Sequence, residues 1–377
     1  MKKSKLSLCL IALLVFTPRN VQAIGISSQC GILMEQQTGR VLYEKCADEP
    51  MYIASITKIM TALLAIEEGD LEGMVPITYE MASQVGSSLY LVPGDEARLA
   101  DLIYGLMLRS GNDAAWAIAS AVGADGDELD LEQFIEMMNI RAAQIGMTNT
   151  TFQNPSGLDE STYNISSARD MALLQRYAMN HPVFRQIAGT TQHRMTTKNG
   201  DVRLWRNKHR LVTGSYEYAI AGKTGFTKQA RRTLVTSARK GDLELVVVTL
   251  KAGDDWNDHR SLFEYGFKNY ELKQVLEVGE IHISESLRQT HGIDGRYFVN
   301  QPVFLTLKSD GSETVTTNLL FHEEAKGLEE SGRLQVLLNG TVQEEVPVYE
   351  LPEPELPREK SWFFRLFNRM TGGDDGS

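Results

Sequence analysis

Hydrophobic and polar residues between positions 24 and 270 alternate with two different periods. Six segments have the apolar period of three to four residues that is typical of an amphipathic helix, and the sequence predicts helices at 56–68, 97–108, 114–122, 131–145, 168–179 and 258–267. Strand-like runs predict antiparallel hairpins at both ends of this stretch, one within 30–46 and one formed by 233–238 and 243–251. Strands at both ends with helices between them predict an α+β domain, an antiparallel sheet flanked by helices, instead of a parallel doubly wound sheet.

The chain from 271 to 350 has a strand-like pattern almost throughout. Glycine and aspartate turns separate five runs of alternating residues, at 274–278, 303–307, 313–320, 334–338 and 342–348. We therefore predict a small all-β domain over residues 271–350. An acidic segment with prolines at three of its seven positions, 351–357, follows and indicates a linker.

Residues 358–370 have the pattern of a short amphipathic helix. At 100° per residue one face carries aromatic and aliphatic side chains, and the other carries Arg358, Arg365 and Arg369. Such a helix suits an anionic membrane surface, so the membrane is a predicted partner through this segment. A helix docked on its own domain and a flexible tail are the alternatives. We expect the Gly-rich, acidic end at 371–377 to be disordered.

The N-terminal 23 residues have the pattern of a signal peptide. A basic start precedes an apolar run from Leu6 to Phe16, which is too short to span a membrane, and small residues precede a predicted cut after Ala23. An uncleaved N-terminal anchor is the alternative. The pattern predicts export to the outer face of the cytoplasmic membrane, with the C-terminal helix as a peripheral anchor.

Composition and charge exclude several classes of protein. With 42% hydrophobic and 23% charged residues among 377, the chain has the balance of a soluble globular protein and not that of a collagen-like, disordered or multi-span membrane protein. The 38 Lys+Arg and 49 Asp+Glu give a net charge of −11, so a nucleic-acid partner is not expected. Because the 7 histidines stand apart in the sequence, we expect no metal site, and nothing indicates another cofactor.

Two cysteines follow the predicted signal segment. Cys30 and Cys46 are equidistant from Thr38, where the first hairpin is predicted to turn, so they would face each other across its strands. In an oxidising compartment this pair predicts a disulfide, whose loop closure contributes about 3 kcal/mol. Two free thiols and a slipped strand register are the alternatives.

Ser55-Ile56-Thr57-Lys58 at the start of a predicted helix is the first motif with catalytic chemistry. Residues three apart lie on one helical face, so the Lys58 amine can reach the Ser55 hydroxyl. A serine becomes a nucleophile when a base takes its proton, and lysine is a base when burial or nearby positive charge lowers its pKa. The free N–H groups of the helix start can also stabilise an oxyanion. An ordinary helix start, with the serine as cap and the lysine in solvent, is the alternative.

Ser110-Gly111-Asn112 follows another predicted helix directly. The tripeptide places one hydroxyl and one carboxamide at a helix junction, where they could relay a proton and bind an amide. A helix-terminating turn followed by the cap of the next helix explains the same residues without a function.

Lys223-Thr224-Gly225 lies in a segment predicted to be an edge strand. Lys223 and Thr224 offer a charge and a hydroxyl to a substrate carboxylate, and Gly225 allows a peptide backbone to approach the strand closely. A simple turn is the alternative. The segment does not have the glycine spacing of a phosphate-binding loop.

The three motifs occur in this order within one exported α+β domain, 55 and then 113 residues apart. This is the motif set of active-site serine penicillin-recognising enzymes. Further stretches, among them Ala54–Ala62 and Asn154-Pro155-Ser156-Gly157-Leu158, are similar to the D-alanyl-D-alanine carboxypeptidases, the low-molecular-mass penicillin-binding proteins. The chain resembles that family over nearly its whole length, most specifically within 30–270. The resemblance implies a β-lactamase/transpeptidase-like fold.

The resemblance also implies a mechanism. Ser55 would be the acylated nucleophile and Lys58 its general base, and Ser110 would pass the proton to the departing D-alanine. The oxyanion hole would consist of the backbone N–H groups of Ser55 and Phe226.

Further residues carry substrate-binding roles in the family. Asn112 would bind the substrate amide, while Lys223 and Thr224, on the strand opened by Gly225, would hold the terminal carboxylate. The charge of Lys223 would also help to keep Lys58 neutral. The implied partners are a peptidoglycan stem peptide ending in D-Ala-D-Ala and β-lactam antibiotics, which would acylate Ser55.

Two segments depart from the family pattern. Ala230-Arg231-Arg232 adds two charges near the cleft, and the charged run at 205–211 is expected to be a solvated rim. A class A-like β-lactamase is one alternative, since Glu160 and Asn164 have the spacing of its water-activating loop, although Gly111 stands where those enzymes usually have aspartate. A catalytically silent wall-binding scaffold is the other.

Overall fold

A computed structural model describes residues 24–123, 131–159, 162–283, 285, 288–289, 295–321 and 330–351. The predicted signal segment 1–23 and the predicted linker, anchor helix and tail beyond Leu351 lie outside these residues. The helices are α1 Lys58–Glu68, α2 Tyr79–Ala82, α3 Leu99–Arg109, α4 Asn112–Val122, α5 Leu131–Ile145, α6 Ala168–Met179, α7 Pro182–Gly189 and α8 Asp255–Asn269. No helix within the described residues is long and apolar enough to cross a lipid bilayer.

The strands, in chain order, are β1 Cys30–Glu35, β2 Val41–Lys45, β3 Met51–Tyr52, β4 Met74–Pro76, β5 Glu96–Arg98, β6 Ile165–Ser166, β7 Gln192–Thr196, β8 Val202–Arg206, β9 Ala219–Thr227, β10 Arg231–Lys240, β11 Leu243–Ala252, β12 Tyr270–Leu276, β13 Gly279–Glu280, β14 Arg296–Val299, β15 Val303–Lys308, β16 Val315–Phe321, β17 Glu330–Leu338 and β18 Thr341–Leu351.

A five-stranded antiparallel sheet in the order β2-β1-β11-β10-β9 forms the centre of the larger domain. Successive side chains of each strand point to opposite faces of the sheet, so they pack into two different cores. Ile32 and Val248 pack with the helical layer that contains α1, α3, α4 and α6, whereas Leu33 and Val247 pack against α8. Helices therefore cover both faces, and the predicted α+β fold with a flanked antiparallel sheet is confirmed.

A second, all-β unit begins where α8 ends at Asn269. It contains a five-stranded sheet, β13-β14-β18-β17-β16, and the pair β12-β15. Its core of valines and leucines is separate from the two cores of the larger domain. The unit contacts the β1–β2 turn, where Arg40 forms an ion pair with Glu313 and the Thr38 and Thr306 hydroxyls lie 2.8 Å apart.

The first hairpin has the predicted turn, but the predicted disulfide between Cys30 and Cys46 is not formed. Because Gly31 pairs with Lys45 in the antiparallel hairpin, the neighbouring residues Cys30 and Cys46 lie opposite each other. Both are free thiols. Cys46 follows β2 in a left-handed conformation with φ 46°, so it has already left the regular strand geometry that the prediction assumed. The prediction of a disulfide is therefore corrected: Cys30 and Cys46 are two neighbouring free thiols.

Candidate active site

Ser55 lies in a 3₁₀ turn, Ala54–Thr57, that leads directly into α1. The turn is tightly packed from behind: a Cβ atom at Gly157 would lie 1.9 Å from the Ala54 carbonyl oxygen. Ala54 itself has a left-handed backbone, with φ 50°. This conformation is unfavourable for a residue with a side chain, so the packing against Gly157 holds the turn that presents the half-buried Ser55.

Lys58 is fully buried one turn after Ser55. Its Nζ lies 3.1 Å from Ser55 Oγ and 2.8 Å from Asn112 Oδ1, and it donates to the Ser156 carbonyl oxygen. Burial lowers the pKa of Lys58 to about 7, Asp113 opposes this shift, and the positive charge of Lys208 adds to it. Near neutral pH, a substantial fraction of Lys58 is therefore an uncharged amine.

The three oxygens around Lys58 Nζ match what a neutral amine needs. Such an amine has two hydrogens and one lone pair. The Asn112 and Ser156 oxygens are acceptors only, so they take the two hydrogens. The lone pair is left for the Ser55 hydroxyl, which is the arrangement of a base beside its nucleophile.

Ser110 and Asn112 lie at the junction of α3 and α4. Ser110 ends α3 in a left-handed conformation, with φ 66°, and Asn112 is the first residue of α4. Asn112 Nδ2 donates to the Val85 carbonyl oxygen at 2.6 Å, while its Oδ1 accepts from Lys58. One N–H and one lone pair of the carboxamide remain for a substrate amide.

Lys223 connects the third motif to the second. It lies on β9, the edge strand of the sheet, and its buried Nζ donates to Ser110 Oγ at 2.9 Å and to the Thr224 carbonyl oxygen at 2.8 Å. Burial holds the pKa of Lys223 well below its usual value, and the charges of Lys58 and Lys208 act in the same direction. For Lys58, burial is the main cause of the lowered pKa, ahead of any neighbouring lysine.

The backbone of β9 passes directly beside the Ser55 turn. A Cβ atom at Gly225 would lie 3.0 Å from the backbone nitrogen of Ser55 and 2.4 Å from Thr233 Oγ1, so only glycine fits there without a shift. Thr224 is half-buried and Phe226 is exposed next to this contact. The structure thus brings the three motifs together at one place, with Ser55, Lys58, Ser110, Asn112, Lys223 and Thr224 around it.

Sequence reasoning did not assign a role to the turn that supplies the Ser156 carbonyl. Asn154 Oδ1 fixes this turn by accepting from the backbone nitrogens of Ser156 and Gly157 at 3.1 and 2.7 Å. Asn164 supports it in turn, donating to the Asn154 carbonyl oxygen at 2.8 Å. The Asn-Pro-Ser-Gly run was the available signal, since asparagine, proline and glycine together are typical of a tight turn.

The same contacts bear on the β-lactamase alternative. Asn164 donates to Thr57 and to the Asn154 carbonyl oxygen, and its Oδ1 accepts from the Gln153 backbone at 2.7 Å, so its carboxamide is engaged within the protein. Glu160, the residue that would activate water in that alternative, lies outside the described residues. Of the two added arginines, Arg232 forms an ion pair with Asp255 at 2.6 Å.

The described residues contain one group of possible metal ligands. Cys30, Cys46 and Glu49 have ligand atoms within 4.8 Å of one another, and this is the one such group in the described part of the chain. None of the three belongs to the motif residues around Ser55.

Comparisons with known proteins agree with the geometry. Residues 17–254 match the family model of D-alanyl-D-alanine carboxypeptidases. The chain is 29% identical to the D-alanyl-D-alanine carboxypeptidase DacF of Bacillus subtilis, over 90% of each chain. It is 36% identical to DacC of Escherichia coli, over 71% of this chain and 68% of that relative.

Two solved structures have similar folds. A mutant of the Streptomyces K15 DD-transpeptidase matches with a TM-score of 0.62 and 32% identity, covering 65% of this chain and 99% of the other. The D-alanyl-D-alanine carboxypeptidase DacD of Francisella tularensis matches with a TM-score of 0.68 and 23% identity, over 87% of this chain and 94% of the other. At that identity the second match concerns the fold alone, and it includes much of the C-terminal part.

Proposed function

This chain belongs to the D-alanyl-D-alanine carboxypeptidase family and is a serine-type peptidase, and from that premise we propose that it removes the terminal D-alanine of peptidoglycan stem peptides through an acyl-enzyme on Ser55. The observation that carries the proposal is the environment of Lys58. Its pKa is lowered to about 7, and both hydrogens of the neutral amine have acceptors other than Ser55.

Acylation begins with the Ser55 hydroxyl. The Lys58 lone pair takes its proton as Oγ forms a bond to the carbonyl carbon of the penultimate D-alanine. The negative charge that develops on the carbonyl oxygen is stabilised by the backbone N–H groups of Ser55 and Phe226. The closeness of β9 at Gly225 to the Ser55 nitrogen supports this pairing of donors.

Collapse of the tetrahedral intermediate breaks the peptide C–N bond. The proton reaches the departing amine through Ser110, whose hydroxyl accepts from Lys223 at 2.9 Å. Lys223 and Thr224 hold the carboxylate of the terminal D-alanine, whose negative charge favours the protonated form of Lys223 that burial alone disfavours. Water then attacks the ester, releases the shortened peptide and returns the proton to Ser55.

β-Lactam antibiotics are the proposed inhibitors. Their strained amide takes the place of the scissile peptide at Ser55, and the leaving group stays attached to the acyl-enzyme. For the whole chain we propose export and attachment to the outer face of the cytoplasmic membrane. The amphipathic pattern of 358–370 and the signal pattern of 1–23 support this location.

Two measurements on the purified protein test the proposal. We expect fluorescent penicillin to label it stably, and the enzyme to release D-alanine from a stem pentapeptide. Ser55→Ala removes both activities, whereas Ser215→Ala, at an exposed serine that donates to the Arg210 carbonyl oxygen, keeps them. Rapid loss of the label with drug hydrolysis would instead support a β-lactamase, and no label at all would support a silent scaffold.

A further inference from the structure

A pocket of about 320 Å³ opens on the α3 side of the motif residues. Its lining consists of residues 88–90 on one loop, residues 204–206 of β8, and Arg109 at the end of α3. This volume is within the range of small-molecule sites, about 300–1,000 Å³. The mechanism proposed above uses none of these residues.

The pocket adjoins the catalytic residues directly. Arg109 precedes Ser110 in the chain, and the backbone nitrogen of Asn112 donates to the Ser87 carbonyl oxygen at 2.6 Å. Ser88 Oγ donates to the buried Asp113 at 2.7 Å. An extended peptide advances about 3.3–3.6 Å per residue. Because Asn112 is the proposed binder of the substrate amide and its backbone contacts Ser87, we place the residue that precedes D-Ala-D-Ala beside the loop at 88–90, where its side chain can reach the pocket.

The pocket is positively charged. Arg109 Nη1 donates to the Arg206 carbonyl oxygen at 3.4 Å, which brings the end of α3 against β8. Neither guanidinium forms an ion pair with a carboxylate of the described residues, although the chain as a whole has a net charge of −11. Two arginines that line one pocket and have no carboxylate partner among the described residues can bind a carboxylate of a ligand.

The walls of the pocket are held in place. Arg203 donates to the carbonyl oxygens of Leu89 and Tyr90, and the Leu89 nitrogen donates to Asp113 at 2.8 and 2.9 Å. Tyr90 has a left-handed backbone, with φ 58°, and its ring is exposed. The loop is thus fixed from both sides, and its aromatic ring is free to cover the aliphatic part of a ligand.

The charged segment at 205–211 is therefore more than the solvated rim that its sequence predicts. Trp205, His209 and Leu211 are buried, while the charged Arg206 and Lys208 between them are exposed. The buried residues fix the segment to the domain, so its charges are held at a constant place beside the second motif. The backbone nitrogen of Lys208 donates to the Leu108 carbonyl oxygen at 3.1 Å, which confirms this position.

We propose that Arg109 and Arg206 bind a carboxylate on the side chain of the residue that precedes the terminal D-Ala-D-Ala, so that this enzyme prefers stem peptides with an acidic group there. The inference rests on the proposed function. It adds a preference at a substrate position that the three motifs do not contact.

Three synthetic peptides test the preference on the full chain: N-acetyl-Glu-D-Ala-D-Ala, N-acetyl-Gln-D-Ala-D-Ala and N-acetyl-Glu-Gln-D-Ala-D-Ala. The first two differ in one charge and are nearly equal in size. We expect the glutamyl tripeptide to have a KM about tenfold lower than the glutaminyl tripeptide, the size of one charge-assisted contact. The difference should shrink as salt is added.

Variants assign the preference to the two arginines. In the double variant Arg109→Gln and Arg206→Gln, KM for the glutamyl tripeptide should rise to within about threefold of that for the glutaminyl tripeptide. Arg239→Gln is the matched control, because Arg239 lies on β10, donates to the Gly241 carbonyl oxygen and should leave the preference intact. Penicillin labelling and the melting temperature show whether the double variant is folded.

Equal KM values for the first two peptides with the unaltered enzyme would overturn the inference, whatever the state of the variants. A preference that persists in a folded double variant would do the same. A preference for the tetrapeptide over the glutamyl tripeptide would overturn the assigned position, because the carboxylate would then bind one residue farther away. Absence of D-alanine release from all three peptides would instead refute the proposed function.

Discussion

Replacing Lys58 by methionine separates its role as a base from its role in the fold. Methionine has a similar length and fills the same buried space without an amine. General-base catalysis contributes about 10²–10⁴-fold to a rate, so we expect acylation of Ser55 by penicillin to slow by about 10³-fold. This loss corresponds to about 4 kcal/mol in the activation free energy.

The free energy of unfolding should change little in the same variant. Keeping a lysine folded whose pKa falls from 10.5 to about 7 costs about 4 kcal/mol at pH 7, because the unfolded chain binds the proton more tightly. Methionine removes that cost. It also leaves Asn112 Oδ1 and the Ser156 carbonyl oxygen without the Lys58 donor, at about 2 kcal/mol each. The two effects nearly cancel.

The assay is the initial rate of labelling by fluorescent penicillin, with the melting temperature followed by circular dichroism. Lys240→Met is the control, since Lys240 is exposed at the end of β10, over the Tyr218 ring, and should leave the rate unchanged. A folded Lys58→Met variant that is labelled within tenfold of the wild-type rate would refute the reasoning, because another group would then accept the Ser55 proton.

Three further predictions follow from the same contacts. The second-order rate of acylation should fall about tenfold per pH unit below a midpoint near pH 7, as Lys58 becomes protonated and loses its lone pair, and should level off above it; a flat profile from about pH 5 to 9 would contradict the assignment. Gly157→Ala should lower the free energy of thermal unfolding by more than about 3 kcal/mol and slow penicillin labelling, because φ is 76° and a Cβ atom there would collide with the Ala54 carbonyl. Gly146→Ala is the control: φ is 88° but the space is open, so the loss should be only about 1–2 kcal/mol. Equal losses in the two variants would show that the packing of Gly157 against Ala54 is unimportant. Arg40→Ala should lower the free energy of denaturant unfolding by about 3 kcal/mol, because it leaves the buried Glu313 carboxylate with the Lys308 backbone nitrogen but no charged partner, and D-alanine release should be unchanged. A loss of D-alanine release would show that the two domains are coupled in catalysis.

Strong hydrophobic periods predicted their elements well, and weak ones did not. Residues 131–145 and 168–179 are helices as expected, because each has an apolar face that is long enough to be recognised. The eight-residue helix α7 was missed, since two turns that begin at a proline give little periodicity. The hairpin β7–β8 was missed as well: each strand buries one residue of five, so polar side chains conceal the alternation.

The order of the three motifs predicted that Ser55, Ser110 and Lys223 meet, and the structure brings them together. The Ser156 carbonyl could not be found in the same way, because a backbone acceptor has no side-chain signature. The influence of Lys208 on the pKa of Lys58 could not be predicted either, because it depends on a distance that only the folded chain defines.

The central sheet has a consequence for how the enzyme can be assembled. Its β1–β2 edge carries the turn that contacts Glu313 and Thr306, whereas β9, beside Ser55, is the opposite edge. Four strand spacings of about 4.8 Å lie between them, roughly 19 Å. A force on the C-terminal unit therefore acts first on the β1–β2 edge of the hydrogen-bonded sheet, which is the edge away from Ser55. The appended unit can be lengthened, exchanged or tethered while the reacting groups keep their alignment.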